Sequence, residues 1–126
     1  MNGPNIQLAP LAKFSNEARL RQRQIELGVS GAFIAALGDI LPSQLTEAYK
    51  GRRTLPNEVA LELLEITKFL LEARDAASPF RVPMDNAFET KVFYKTMVES
   101  GVTPDRIREY VQRMMSEDGS MDGGTF

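Results

Sequence analysis

Between Ser15 and Gly51 the chain is cut into three helix-sized pieces, each opened by a helix-starting residue and closed by a glycine. Ser15 precedes "NEARLRQRQIEL" and Gly28; Ser30 precedes "GAFIAAL" and Gly38; Pro42 opens "PSQLTEAYK" before Gly51. A serine hydroxyl accepts an amide N–H that a first turn leaves unbonded, proline suits the first helical position, and glycine takes the left-handed backbone past the last turn. The spacing therefore predicts three short helices in about forty residues. Ala18, Leu20, Ile25 and Leu27 supply the apolar content of the first, and Leu45, Ala48 and Tyr49 form the buried side of the third.

The same punctuation continues downstream. Pro56 or Asn57 opens a long fourth helix in which Val59, Leu63, Ile66 and Leu70 recur at helical spacing, with Ala60, Leu64, Thr67 and Leu71 beside them. A stripe this broad predicts contacts beyond a small bundle. The helix should end near Ala77, because Pro79 follows. After the two-proline linker "SPFRVPMD", Asp85 caps a fifth helix with Phe88, Val92, Phe93 and Met97 on one face, ending at Gly101. Thr103 and Pro104 open a sixth, whose apolar positions are Ile107, Tyr110, Val111, Met114 and Met115. No strand pattern competes, so the fold class is all-α: a four-helix unit over 15–77, then a helical hairpin over 78–117. Residues 1–14 read as a flexible arm and the acidic end, 118–126, as a disordered tail.

Composition narrows the chemistry. The 126 residues include no cysteine and no histidine. That removes disulfides, thiolate ligands, the usual base near neutral pH and any serine–histidine pair. "GDILPSQ" lacks the Gly-Lys-Ser/Thr ending of a phosphate loop, and no paired-carboxylate motif appears. The expectation is a protein that is not an enzyme and carries neither metal nor cofactor. No apolar run approaches the ~20 residues of a membrane span. "MNGPNIQLAPLAKFS" lacks the basic start and apolar core of a secretion signal, so a cytoplasmic location is expected.

The net charge is -2, but the charges are segregated. From Lys13 to Pro56 seven bases face four acids, leaving +3; from Asp75 to Phe126 six bases face nine acids, leaving -3. Lys50, Arg52 and Arg53 gather at the exit of the third helix. They can compensate the helix dipole there, grip phosphate, or both. Arg19, Arg21 and Arg23 lie two apart, so one helix cannot aim all three at one partner; they read as solvated.

Leu27-Gly28-Val29-Ser30, Ile34-Ala35, Leu45, Tyr49-Lys50-Gly51, Arg52-Arg53 and Pro56 follow one another at characteristic intervals. In these positions the chain resembles the helix-turn-helix domain of the Cro and phage-repressor type, also called the XRE family, over roughly fifty residues. Three positions depart from the family pattern. Gly38 sits one place before the usual turn glycine, with Asp39 in its stead; Pro42 begins the third helix; and Gln24 stands where arginine is common.

The resemblance implies a regulator that binds double-stranded DNA through helix 42–50. Ser43, Gln44, Thr46 and Glu47 would face base edges in the major groove. Lys50, Arg52 and Arg53 would hold phosphates, as would the start of the second helix at Ser30 and Gly31. One such module buries too little surface for tight specific binding, and such modules commonly pair on palindromic sites. The expected homodimer contacts are Leu70 and Leu71 on the fourth helix and Phe88, Val92, Phe93 and Met97 on the fifth. Ile107, Tyr110, Val111 and Met114 on the sixth complete them. A second reading keeps the scaffold but gives it a protein partner, as in a phage or bacterial modulator of a host protein. Glu47, Pro42 and the acidic C-terminal part favour that reading.

Overall fold

The computed structural model describes residues 15–124, with side chains to 117. The arm expected over 1–14 lies outside the described residues. Six helices follow in order: α1 (Asn16–Leu27), α2 (Gly31–Leu37), α3 (Pro42–Tyr49), α4 (Asn57–Ala77), α5 (Ala87–Glu99) and α6 (Pro104–Gly124). The described residues contain no strand, so the all-α class holds.

The helix ends follow from local chemistry. Ser15 Oγ accepts the Ala18 amide at 3.1 Å, Ser30 Oγ accepts that of Phe33 at 3.1 Å, and Thr103 Oγ1 accepts that of Arg106 at 3.2 Å. Gly28 ends α1 in left-handed backbone with φ 72°. One cap lies a residue later than expected. Asn86, not Asp85, starts α5, because its Oδ1 accepts both the Phe88 and the Glu89 amides. At the other end of the chain, α6 continues to Gly124 through most of the stretch expected as a tail. That stretch has no proline, and each glycine costs a running helix only about 1 kcal/mol.

Helices of seven and eight residues do not hold alone in water and depend on packing. Leu20, Ile34, Leu37, Leu45, Leu63, Ile66 and Leu70 are fully or almost fully buried in one core shared by α1, α2, α3 and α4, with α3 held against α2 and α1. The broad stripe of α4 is used on more than one side. α1 lies along one flank, α6 along another, and α5 touches it more lightly. The last two helices do not form the expected hairpin. α5 packs on α2 and α6 packs on α4, with little contact between them. Each finds more apolar surface on the bundle than on the other.

The four apolar residues expected on one face of α5 are divided: Phe93 and Met97 turn toward the core, whereas Phe88 and Val92 project outward. Thr90 is fully buried on the inner side, its one hydroxyl hydrogen directed to the Pro83 carbonyl at 2.7 Å, with that of Asn86 at 3.0 Å. A polar side chain whose hydrogen is bonded can occupy a core position. Leu70 and Val111, expected at a dimer contact, are instead buried within this chain. Phe93, Met97, Ile107 and Met114 are only partly exposed, as is Leu71.

Candidate nucleic-acid interface

α2 and α3 form the corner that the sequence singles out. Ser30 caps α2, and Ile34, Ala35 and Leu37 point inward, none leaving any accessible surface. Gly38 ends α2 with an ordinary φ of -97°, and Asp39 takes the left-handed position at φ 56°. A Cβ at 38 would sit 2.9 Å from Leu63 Cδ1, so any side chain there would require the Leu63 side chain of α4 to shift. Aspartate tolerates the left-handed backbone that follows, and its carboxylate meets Lys91 Nζ of α5 at 3.5 Å.

α3 is seated by Leu45 and Ala48, which are 1% and 0% exposed. Ser43, Thr46, Glu47 and Lys50 fall at i, i+3, i+4 and i+7 and share its outer face. Ser43, Thr46 and Lys50 are exposed there, and Glu47 is partly so. The four expected base-contacting side chains differ in how they are engaged. Ser43 makes no side-chain hydrogen bond among the described residues. Gln44, half-buried, accepts the Leu41 amide on Oε1 at 2.9 Å and so caps its own helix, keeping its NH₂ donors. Thr46 Oγ1 donates to the Pro42 carbonyl at 3.0 Å. Glu47 pairs with Arg52 at 3.4 Å.

The basic corner is therefore only partly neutralised. Lys50, Arg52 and Arg53 are exposed, and Arg52 alone of them has a carboxylate partner among the described residues. The Arg52 and Glu47 side chains are 63% and 36% exposed, and such surface pairs are worth at most about 1 kcal/mol. A phosphate could take Arg52 from Glu47 at small cost. Ser30 and Gly31 stand at the start of α2, where the Ser30 hydroxyl accepts the Phe33 amide.

Two contacts that sequence reading missed hold this corner to α1. Tyr49 Oη donates to Gln24 Oε1 at 2.8 Å, so the residue that departs from the family pattern is used to position α3. Burial keeps the Tyr49 phenol protonated well above its ordinary range, against the opposing pull of the Arg21 charge. Glu17, 7% exposed, accepts the Leu55 amide at 2.9 Å and ties the start of α1 to the chain leaving the basic corner. Its partner lies 38 residues away, so no local motif could announce it. Tyr49→Phe should lower the unfolding free energy by about 0.5–1.5 kcal/mol, read as a lower urea midpoint at unchanged slope. An unchanged midpoint would mean that the Tyr49–Gln24 bond adds nothing to the seating of α3.

No protein-family model, curated protein or solved structure matches this chain. The site is therefore read from its own geometry. Among the described residues, no helix is long and apolar enough to cross a membrane, and there is no cluster of metal-ligating side chains.

Proposed function

We propose that this chain is a sequence-specific DNA-binding regulator of phage or bacterial type, acting from the cytoplasm as a repressor on a palindromic operator. One observation carries the reading. α3, pinned from below by Leu45 and Ala48, presents Ser43, Thr46 and Lys50 on an exposed face that runs directly into Arg52 and Arg53. Hydroxyls and the Gln44 amide suit base edges, and cations at the helix exit suit phosphates. In the occupied operator, α3 lies in the major groove and excludes other proteins from it.

The test is a salt titration of binding to random duplex DNA by fluorescence anisotropy, followed by selection of an operator. Affinity should fall steeply as salt rises. Arg53→Ala should weaken all sequences alike and flatten the log–log slope by about one unit, whereas Ser43→Ala should chiefly reduce discrimination between sequences. Absence of binding even at roughly 50 mM salt would discard the DNA reading.

Dimer formation is part of this proposal. With Leu70 and Val111 inside the chain, the expected contacts that stay exposed are Phe88, Val92 and Tyr110, at 75%, 48% and 56%. The same exposed side of α5 favours the second reading, a module whose partner is another protein. A concentration-independent monomer in sedimentation, together with failure to bind DNA, would select that second reading.

A further inference from the structure

Away from α3, a cleft of about 600 Å³ opens where α1, α4 and α5 meet. Its volume falls within the range of sites that hold small organic molecules. One wall is basic: Arg19 and Arg23, four residues apart on α1, face it together. The other wall is acidic: Glu62 and Glu65 line it from α4, with Lys68 one turn further on. Although charges of both signs line one space, no ion pair within 4.0 Å joins them. Arg23 reaches α4 at the Leu64 carbonyl and not at a carboxylate.

Two further features make this more than a gap between side chains. Arg23 is held in place by donating to the Leu64 carbonyl of α4, which fixes the guanidinium at the cleft and leaves other donors on it. The cleft also has an apolar part, with Leu61 48% exposed and the Tyr94 ring beside it. The Tyr94 phenol is kept protonated above its ordinary range, first by burial and then by the Glu65 and Glu62 carboxylates. It therefore offers a hydrogen-bond donor at that edge.

From this arrangement we infer that the cleft binds a small zwitterion with an apolar side chain, an amino acid or short peptide. The ligand carboxylate lies against Arg19 and Arg23, its ammonium against Glu62 and Glu65, and its side chain on Leu61 and Tyr94. A molecule carrying both charges answers cations and carboxylates that are not paired with one another, and one of either single charge leaves one set unanswered. The inference is independent of the DNA reading, because binding is read without DNA.

The test uses the full chain and the dipeptide L-leucyl-L-phenylalanine in calorimetric titration. Its N-acetylated form lacks the ammonium, and its C-terminal amide lacks the carboxylate. Saturable binding is expected, weakened by at least about tenfold when either end is blocked. Arg19→Gln should reduce the sensitivity to amidation more than that to acetylation, and Glu62→Gln should do the reverse, since Arg23 and Glu65 remain. Both residues are exposed, so the fold should survive, which circular dichroism would verify. Lys95→Gln, on the outside of α5, should bind as the unaltered chain does. No saturable binding up to about 10 mM, or equal binding of free and blocked peptides, or equal response of the two cleft variants to both blocks, would overturn the inference.

Discussion

Leu45→Ala is expected to cost about 2–5 kcal/mol, a large share of the roughly 5–15 kcal/mol that holds a domain of this kind together. Leu45 is 1% exposed and is the largest side chain that α3 buries; Ala48, the other fully buried residue of α3, cannot compensate. The loss comprises the transfer energy of the removed carbons and the cavity left between α3 and the helices beneath it. Because α3 has only eight residues, it has little stability of its own to draw on. Urea unfolding should show a much lower midpoint, and hydrogen exchange should rise first in α3. Leu61→Ala serves as the comparison: half-exposed, it should change stability by less than about 0.5 kcal/mol. Equal losses from the two substitutions would show that Leu45 does not anchor α3.

Gly38→Ala is the second large effect, from crowding in place of a cavity. The new Cβ would lie 2.9 Å from Leu63 Cδ1 and 3.1 Å from its Cγ. Leu63 is fully buried, so its side chain can yield only by repacking against its core neighbours. Overpacking of this kind costs about 1–3 kcal/mol. The backbone is not the cause, since φ at 38 is -97° and suits any residue. Leu63→Ala provides the control, because it removes the atoms that clash. Combined with Gly38→Ala, the two losses should sum to less than their separate values, with a coupling of about 0.5–3 kcal/mol. Strict additivity would rule out the clash with Leu63 as the cause of the loss.

This glycine illustrates how far the chain can be read without its fold. The sequence places Gly38 correctly as the end of α2 and notes that it sits one residue before the family's turn glycine. What a side chain there would meet is Leu63, 25 positions away on α4. Gln24 is similar: as a departure from a family pattern it reads as a lost phosphate contact, and in the structure it holds Tyr49. Arg23, read with Arg19 and Arg21 as solvated, is half-buried against the Leu64 carbonyl. The spacing of four between Arg19 and Arg23 was visible in the sequence. That the facing wall would carry Glu62 and Glu65 was not.

On α5 helical spacing joins Phe88, Val92, Phe93 and Met97 on one face, and the structure divides them: Phe93 and Met97 lie against the core and Phe88 and Val92 outside it. Thr90 is buried on the inner side, its hydroxyl hydrogen directed to the Pro83 carbonyl at 2.7 Å with that of Asn86 at 3.0 Å. The candidate DNA-facing corner was legible as a set of residues, yet only the structure distinguishes their states. Ser43 is exposed, Gln44 caps, Thr46 donates to Pro42, and Glu47 pairs with Arg52.

By itself the sequence determined six helices and most of their ends, since a cap is a bond between residues two to four apart and needs nothing beyond its own turn. The tertiary structure alone decided that α5 and α6 go to different helices, and that charges of both signs line one cleft. Those outcomes depend on contacts between residues 25 to 52 positions apart, as in Tyr49–Gln24, Glu17–Leu55, Arg23–Leu64 and Lys91–Asp39. Such pairs form only once the buried stripe of α4 has gathered the other helices around it.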